Sequence, residues 1–140
     1  MAKILPIKGA GAFQWNTAGW FRTQIGCTLW ILMVGVLISD YNMSIGLLII
    51  CFFIAPNIVG YVIWHRREHI FPYPAIQYLM VTISLFAFFT LLTLDLSGLA
   101  NRLDEQLGNS FPYLYLVLLS FPVLMIQLHF QNLDTKRKQR

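Results

Sequence analysis

The chain has 140 residues, of which 57% are apolar, 15% aromatic and 11% charged, with a formal net charge of +4. A disordered chain combines low hydrophobicity with high charge, and a mean hydropathy of +0.62 excludes it. A soluble domain carries about a quarter charged residues, more than twice the share found here, so the composition points to an integral membrane protein in one domain spanning 1–140.

Four apolar runs follow in chain order, and the sequence predicts a helix over each: about 18–39, 45–64, 76–94 and 111–130. Each is about 20 residues, or about 30 Å of helix, the thickness of a hydrocarbon core. The runs are continuous rather than alternating, which argues against a transmembrane barrel. A spanning backbone must then satisfy its own hydrogen bonds as helix. The expected fold is therefore all-α, a four-helix transmembrane bundle.

The first run opens with Trp15 and Trp20 around a polar Arg22-Thr23-Gln24 step. The two tryptophans read as an interfacial aromatic belt, and Arg22 near the helix end can snorkel to water. The short Asp40–Ser44 link makes the first two helices antiparallel neighbours. In the second run, Pro56 removes one ladder hydrogen bond and kinks the helix. Asn57 beside it is the one amide near the midplane. It is expected to bond to Thr82 or Ser84 on the third helix or to Ser120 on the fourth, giving a polar midplane set of Asn57, Ser84 and Ser120. Pro122 kinks the fourth helix. It lies 11 residues from the start of its run, as Pro56 does, a spacing read as coincidence rather than duplication.

The loop HRREHIFPYPA, residues 65–75, begins charged and ends in prolines. His65 to His69 matches H-x-x-E-H, the inverted zinc-peptidase pattern. That chemistry needs His65 and His69 one helical turn apart and a further ligand; the acids downstream are Asp95, Asp104, Glu105 and Asp134, the first three of them expected on the opposite side, and the segment reads as an interfacial anchor. The loop 95–110 is the longest, and Leu99 to Leu107 within it predicts a short amphipathic helix. A basic tail, 131–140, closes the chain.

Lysine and arginine fix the expected orientation. Lys3, Lys8, Arg22, Arg66, Arg67, Lys136, Arg137, Lys138 and Arg140 fall on one side, and Arg102 alone on the other. By the positive-inside rule, both termini are cytoplasmic. So strong an asymmetry in a short chain suggests the inner (plasma) membrane of a bacterium. Arg22, Arg66, Arg67, Lys136, Arg137 and Lys138 are placed to meet anionic headgroups. The basic tail lacks the aromatic residues that would suggest nucleic acid.

The helix cores contain no Asp, Glu, Lys, Arg or His, the residues that mark proton relays and ion paths. Cys27 and Cys51 lie in apolar runs without metal-ligand spacing. The expected function is therefore non-enzymatic: an accessory or scaffold subunit of a larger membrane assembly, bound to other membrane proteins or to itself, with no cofactor. The alternative is a small channel or transporter using the kinked second and fourth helices. A lesser alternative is a redox subunit binding haem b or quinone, with His65 or His69 on one helix and His129 on another as haem ligands.

Overall fold

A computed structural model describes residues 16–70, 72–108 and 111–138. These residues form five α-helices: α1 (Thr17–Ser39), α2 (Met43–His65), α3 (Pro72–Ser97), α4 (Ala100–Leu107) and α5 (Phe111–Lys138). Three of them, α1, α2 and α3, are long and apolar enough to cross a membrane. On α5 the apolar stretch is shorter, Leu118–Phe130.

The boundaries have local causes. The Asn16 side chain caps α1 by accepting from the Gly19 N–H at 2.7 Å, and Asn42 caps α2 by accepting from the Ile45 N–H at 3.2 Å. Each satisfies an amide that the first turn leaves without a helical partner. Helix α3 begins at Pro72, several residues before the run that starts at Ile76. Pro72 and Pro74 both fall in its first turn, where a missing N–H costs nothing. Gly98 ends α3 and Gly108 ends α4, both with positive φ (71° and 63°), the left-handed conformation that stops a helix. Residues 131–138, expected as a tail, continue α5 instead, since neither proline nor glycine interrupts them.

The long helices alternate in direction, and side-chain contacts show it. Trp20 near the start of α1 stacks on Trp64 at the end of α2. Phe52 of α2 meets Phe86 and Phe89 of α3. At one end of the α3–α5 pair the Tyr73 hydroxyl meets His129; at the other, Tyr115 donates to Asp95. The α1 start, the α2 end, the α3 start and the α5 end therefore share one end of the molecule. Helices α1, α2 and α3 pack on one another, and α5 packs on α3 and α4. The short α4 is anchored by Leu103, which is fully buried, and by Gln106, which donates to the Tyr41 hydroxyl in the α1–α2 turn at 2.9 Å.

The buried core is a column of Ile31, Ile38, Ile49, Ile76, Leu79, Ile83, Leu91 and Leu94. The outward faces are as apolar as the core: Met33, Val36, Leu47, Ile58, Val81, Leu85 and Phe88 are all exposed. In water such a surface would aggregate; in lipid it is the ordinary exterior, which is why the three long helices fit a membrane protein.

Helices α1 and α2 approach closely because glycine lets them. A Cβ on Gly46 would lie 2.7 Å from the Ser39 Cα and from its backbone nitrogen; one on Gly35 would lie 3.1 Å from the Ile50 nitrogen and 3.2 Å from the Gly46 carbonyl oxygen. Small residues at the crossing bring backbones together, and association inside a membrane depends on that packing.

Candidate functional site

Among the described residues the buried polar side chains are Gln24, Thr28 and Thr90; Thr90 donates to the Phe86 carbonyl of its own helix, while Gln24 and Thr28 meet the half-buried Asn57 at the α1–α2 interface. Trp20, Gln24 and Thr28 lie four residues apart on α1, so they form one stripe down a single face. Opposite them on α2 stand Phe53, Asn57 and Gly60. The Trp20 indole Nε1 donates to the Gly60 carbonyl at 3.1 Å. The Gln24 amide nitrogen donates to the Asn57 backbone carbonyl at 2.8 Å and to the Asn57 side-chain oxygen at 3.0 Å. The Asn57 amide nitrogen donates to the Thr28 hydroxyl at 3.0 Å and to the Phe53 carbonyl at 2.7 Å, and Thr28 in turn donates to the Gln24 carbonyl at 2.9 Å. The set is thus a closed two-helix network.

Pro56 carries no N–H, so the Phe52 carbonyl loses its ladder donor; the Asn57 side chain donates to the next carbonyl, that of Phe53. Gln24 is 3% exposed, and its Oε1 has no hydrogen-bond partner among the described residues. A Cβ on Gly60 would lie 2.4 Å from that oxygen. The oxygen is therefore packed against the Gly60 Cα, where a weak C–H···O contact is the interaction available to it. No space for a solute opens at this point.

The expected partners of Asn57 need correction. Its amide turns to α1, not to α3 or α5, across the contact that Gly35, Gly46 and Gly60 keep tight. Ser84 and Thr82 each donate to a carbonyl of their own helix, Met80 and Tyr78 respectively. Ser120 is exposed on α5. Asn57, Ser84 and Ser120 do not form one set. The residue that sequence reasoning missed is Gln24: beside Arg22 and Thr23 it reads as part of a wet helix end. The available signal was its spacing, since Trp20, Gln24 and Thr28 define one face.

Trp20 also departs from expectation. It is fully buried rather than placed in an interfacial belt, with its ring 5.7 Å from that of Trp64. Arg67 lies over the outer side of Trp64, its guanidinium 5.0 Å from the ring centroid, and also donates to the Trp64 carbonyl at 3.1 Å. Arg22, Arg66 and Arg137 are exposed, and Lys136 and Lys138 fall in the last turn of α5. These positions share the end at which α1 begins and α5 ends. Trp15 lies outside the described residues.

The histidines share that end too, with other partners. His65 stacks on Tyr61, His129 meets the Tyr73 hydroxyl at 3.2 Å, and His69 is exposed in the turn after α2. Since α2 ends at His65 and 66–69 form a turn, His65 and His69 do not sit on successive turns of one helix, the placement that the zinc-peptidase pattern requires. Among the described residues, no three His, Cys, Asp or Glu side chains are grouped so as to hold a metal.

Set against models of known families, curated proteins and solved structures, the chain matches none.

Proposed function

We propose that the chain is a non-enzymatic membrane protein, an accessory or scaffold subunit that contributes packing surface to a larger assembly. The observation that carries this reading is the Gln24–Asn57–Thr28 network. A transport site needs polar groups turned toward a path, whereas this set turns its groups into the contact between two adjacent helices. Interhelical amide and hydroxyl bonds of this kind hold helices together in lipid. The broad apolar exterior of α2, α3 and α5 is then what the molecule offers to its surroundings.

In this reading α5 is the fourth span, its run 111–130 being long enough to cross, and both termini lie in the cytoplasm. The shared end of α1, α2, α3 and α5 carries Arg22, Arg66, Arg67, Lys136, Arg137 and Lys138, while the opposite end carries Asp40, Asp95, Asp104 and Glu105 with Arg102. That polarity favours a bacterial inner membrane with its basic side at anionic headgroups.

Isolation of the tagged full chain from native membranes in mild detergent tests the reading. The expected result is a co-purifying membrane protein at fixed molar ratio, which survives a change of detergent. A chain that purifies without any other protein and carries solute flux in liposomes contradicts it.

A further inference from the structure

We infer that Arg67 heads a phospholipid site: its guanidinium is held at the membrane surface to bind the phosphate of an anionic lipid. Trp20 and Trp64 are buried and stack with their rings 5.7 Å apart, and Phe21 meets Trp64 edge to face. Arg67 lies over the same Trp64 ring, its guanidinium carbon 5.0 Å from the centroid. The face of an aromatic ring attracts a cation at that distance. The Arg67 Nη1 also donates to the Trp64 carbonyl at 3.1 Å. That carbonyl already accepts from the Arg67 backbone N–H at 3.2 Å, so the side-chain bond is not needed to satisfy it. What the second bond adds is a fixed orientation of the guanidinium.

Charge, geometry and depth point to a lipid phosphate. Arg67 gives one N–H to Trp64 and keeps the rest of its fork. No carboxylate of the described residues pairs with it; the ion pair among them is Arg102–Glu105, at the opposite end. A planar guanidinium already held in place can take a phosphate by two parallel bonds with little ordering left to do. The exposed Arg22 and Arg66 side chains make no bond among the described residues, so they add charge at this end without a fixed geometry. Trp64 closes the apolar run 45–64 and α2 ends at His65, so Arg67 stands just beyond the hydrocarbon, at the level of the headgroups. Below it the same helix exposes Ile54, Ile58, Tyr61 and Val62, an apolar wall for acyl chains that a soluble anion would not use. The inference rests on the proposed placement of this end at anionic headgroups and is independent of the accessory role.

Native mass spectrometry of the purified full chain in detergent tests it, with equal amounts of phosphatidylglycerol and phosphatidylcholine carrying identical acyl chains. The natural chain is expected to retain a single phosphatidylglycerol at about five-fold or more the level of phosphatidylcholine. Arg67→Lys keeps the charge but loses the planar fork, and Arg67→Gln loses both. Each is expected to lower that ratio about three-fold or more, whereas Arg22→Lys and Arg66→Lys change it less than about two-fold. Circular dichroism of each variant reports the helical fold separately. A natural chain that retains both lipids equally overturns the inference. So does an equal drop for all three arginines, the mark of diffuse attraction, or displacement of the lipid by millimolar glycerol 3-phosphate, which assigns the site to a soluble phosphate. Orientation is read independently, from the side on which Ser44→Cys in a Cys27→Ser, Cys51→Ser background reacts with a membrane-impermeant maleimide, so failure of the site and failure of the placement are distinguishable.

Discussion

Replacing Gly46 by alanine is expected to destabilise the protein by about 1–3 kcal/mol, the usual cost of overpacking a tight contact. The new Cβ would stand 2.7 Å from the backbone of Ser39. A flexible side chain could swing away, but a helix backbone cannot, so α1 and α2 must separate. The Ser39 hydroxyl lies still closer to that position, yet Ser39→Ala would not rescue the variant, because the Ser39 Cα and nitrogen remain. Gly26→Ala provides the opposite sign. A Cβ there meets nothing within 4 Å, and α1 is continuous through the position. Alanine gains up to about 1 kcal/mol over glycine in a helix interior. Reversible unfolding of both variants in detergent, followed by circular dichroism, measures the difference. Equal stability of the two variants would mean that α1 and α2 do not cross at Gly46.

The second large effect lies in the polar network. Gln24→Leu removes both hydrogen bonds that the Gln24 amide donates to Asn57, leaving the half-buried Asn57 side-chain oxygen without one. Asn57→Leu removes the donor to Thr28 and the acceptor for Gln24. Each single change is expected to cost about 1–3 kcal/mol, since orphaning a buried polar group costs more than its hydrogen bond contributed. The double variant is expected to cost less than the sum, with a coupling of about 0.6–1.7 kcal/mol, the range for interhelical bonds in membranes. The same unfolding assay over the four chains closes the cycle. Additive losses would show that the two amides do not interact.

Most of the helical fold was readable from the sequence because its signals are local. Continuous apolar runs act within a turn or two and place the helices; the caps at Asn16 and Asn42 and the stops at Gly98 and Gly108, which the sequence analysis did not use, set where they begin and end. The amphipathic segment beginning at Leu99 needed only its own periodicity, and α4 occupies Ala100–Leu107. The start of α3 was misplaced because a proline pair reads as a break, although prolines in a first turn lose nothing. The site was harder to read. In a soluble helix the polar and apolar faces separate core from surface. In α1 both faces are apolar, so nothing in composition tells which side of the helix Gln24 occupies. Trp20 poses the same problem, since tryptophan serves equally at a lipid interface and in a packed core. The spacing of Pro56 and Pro122 carried no fold information: Pro56 is buried against neighbouring helices, and Pro122 is exposed on the outer side of α5. Helix contacts separated by some 30–40 residues in sequence decide these cases.

We propose that the polar centre of this molecule holds helices together and does not pass a solute. Electrical recording across planar bilayers containing the purified full chain tests it most directly, with potassium, sodium and chloride salts and with a proton gradient. Conductance is expected to be no greater than that of protein-free bilayers, for the natural chain and for Asn57→Leu alike. A conductance that the natural chain supports and Asn57→Leu abolishes would contradict it, and would make the α1–α2 amides a permeation site.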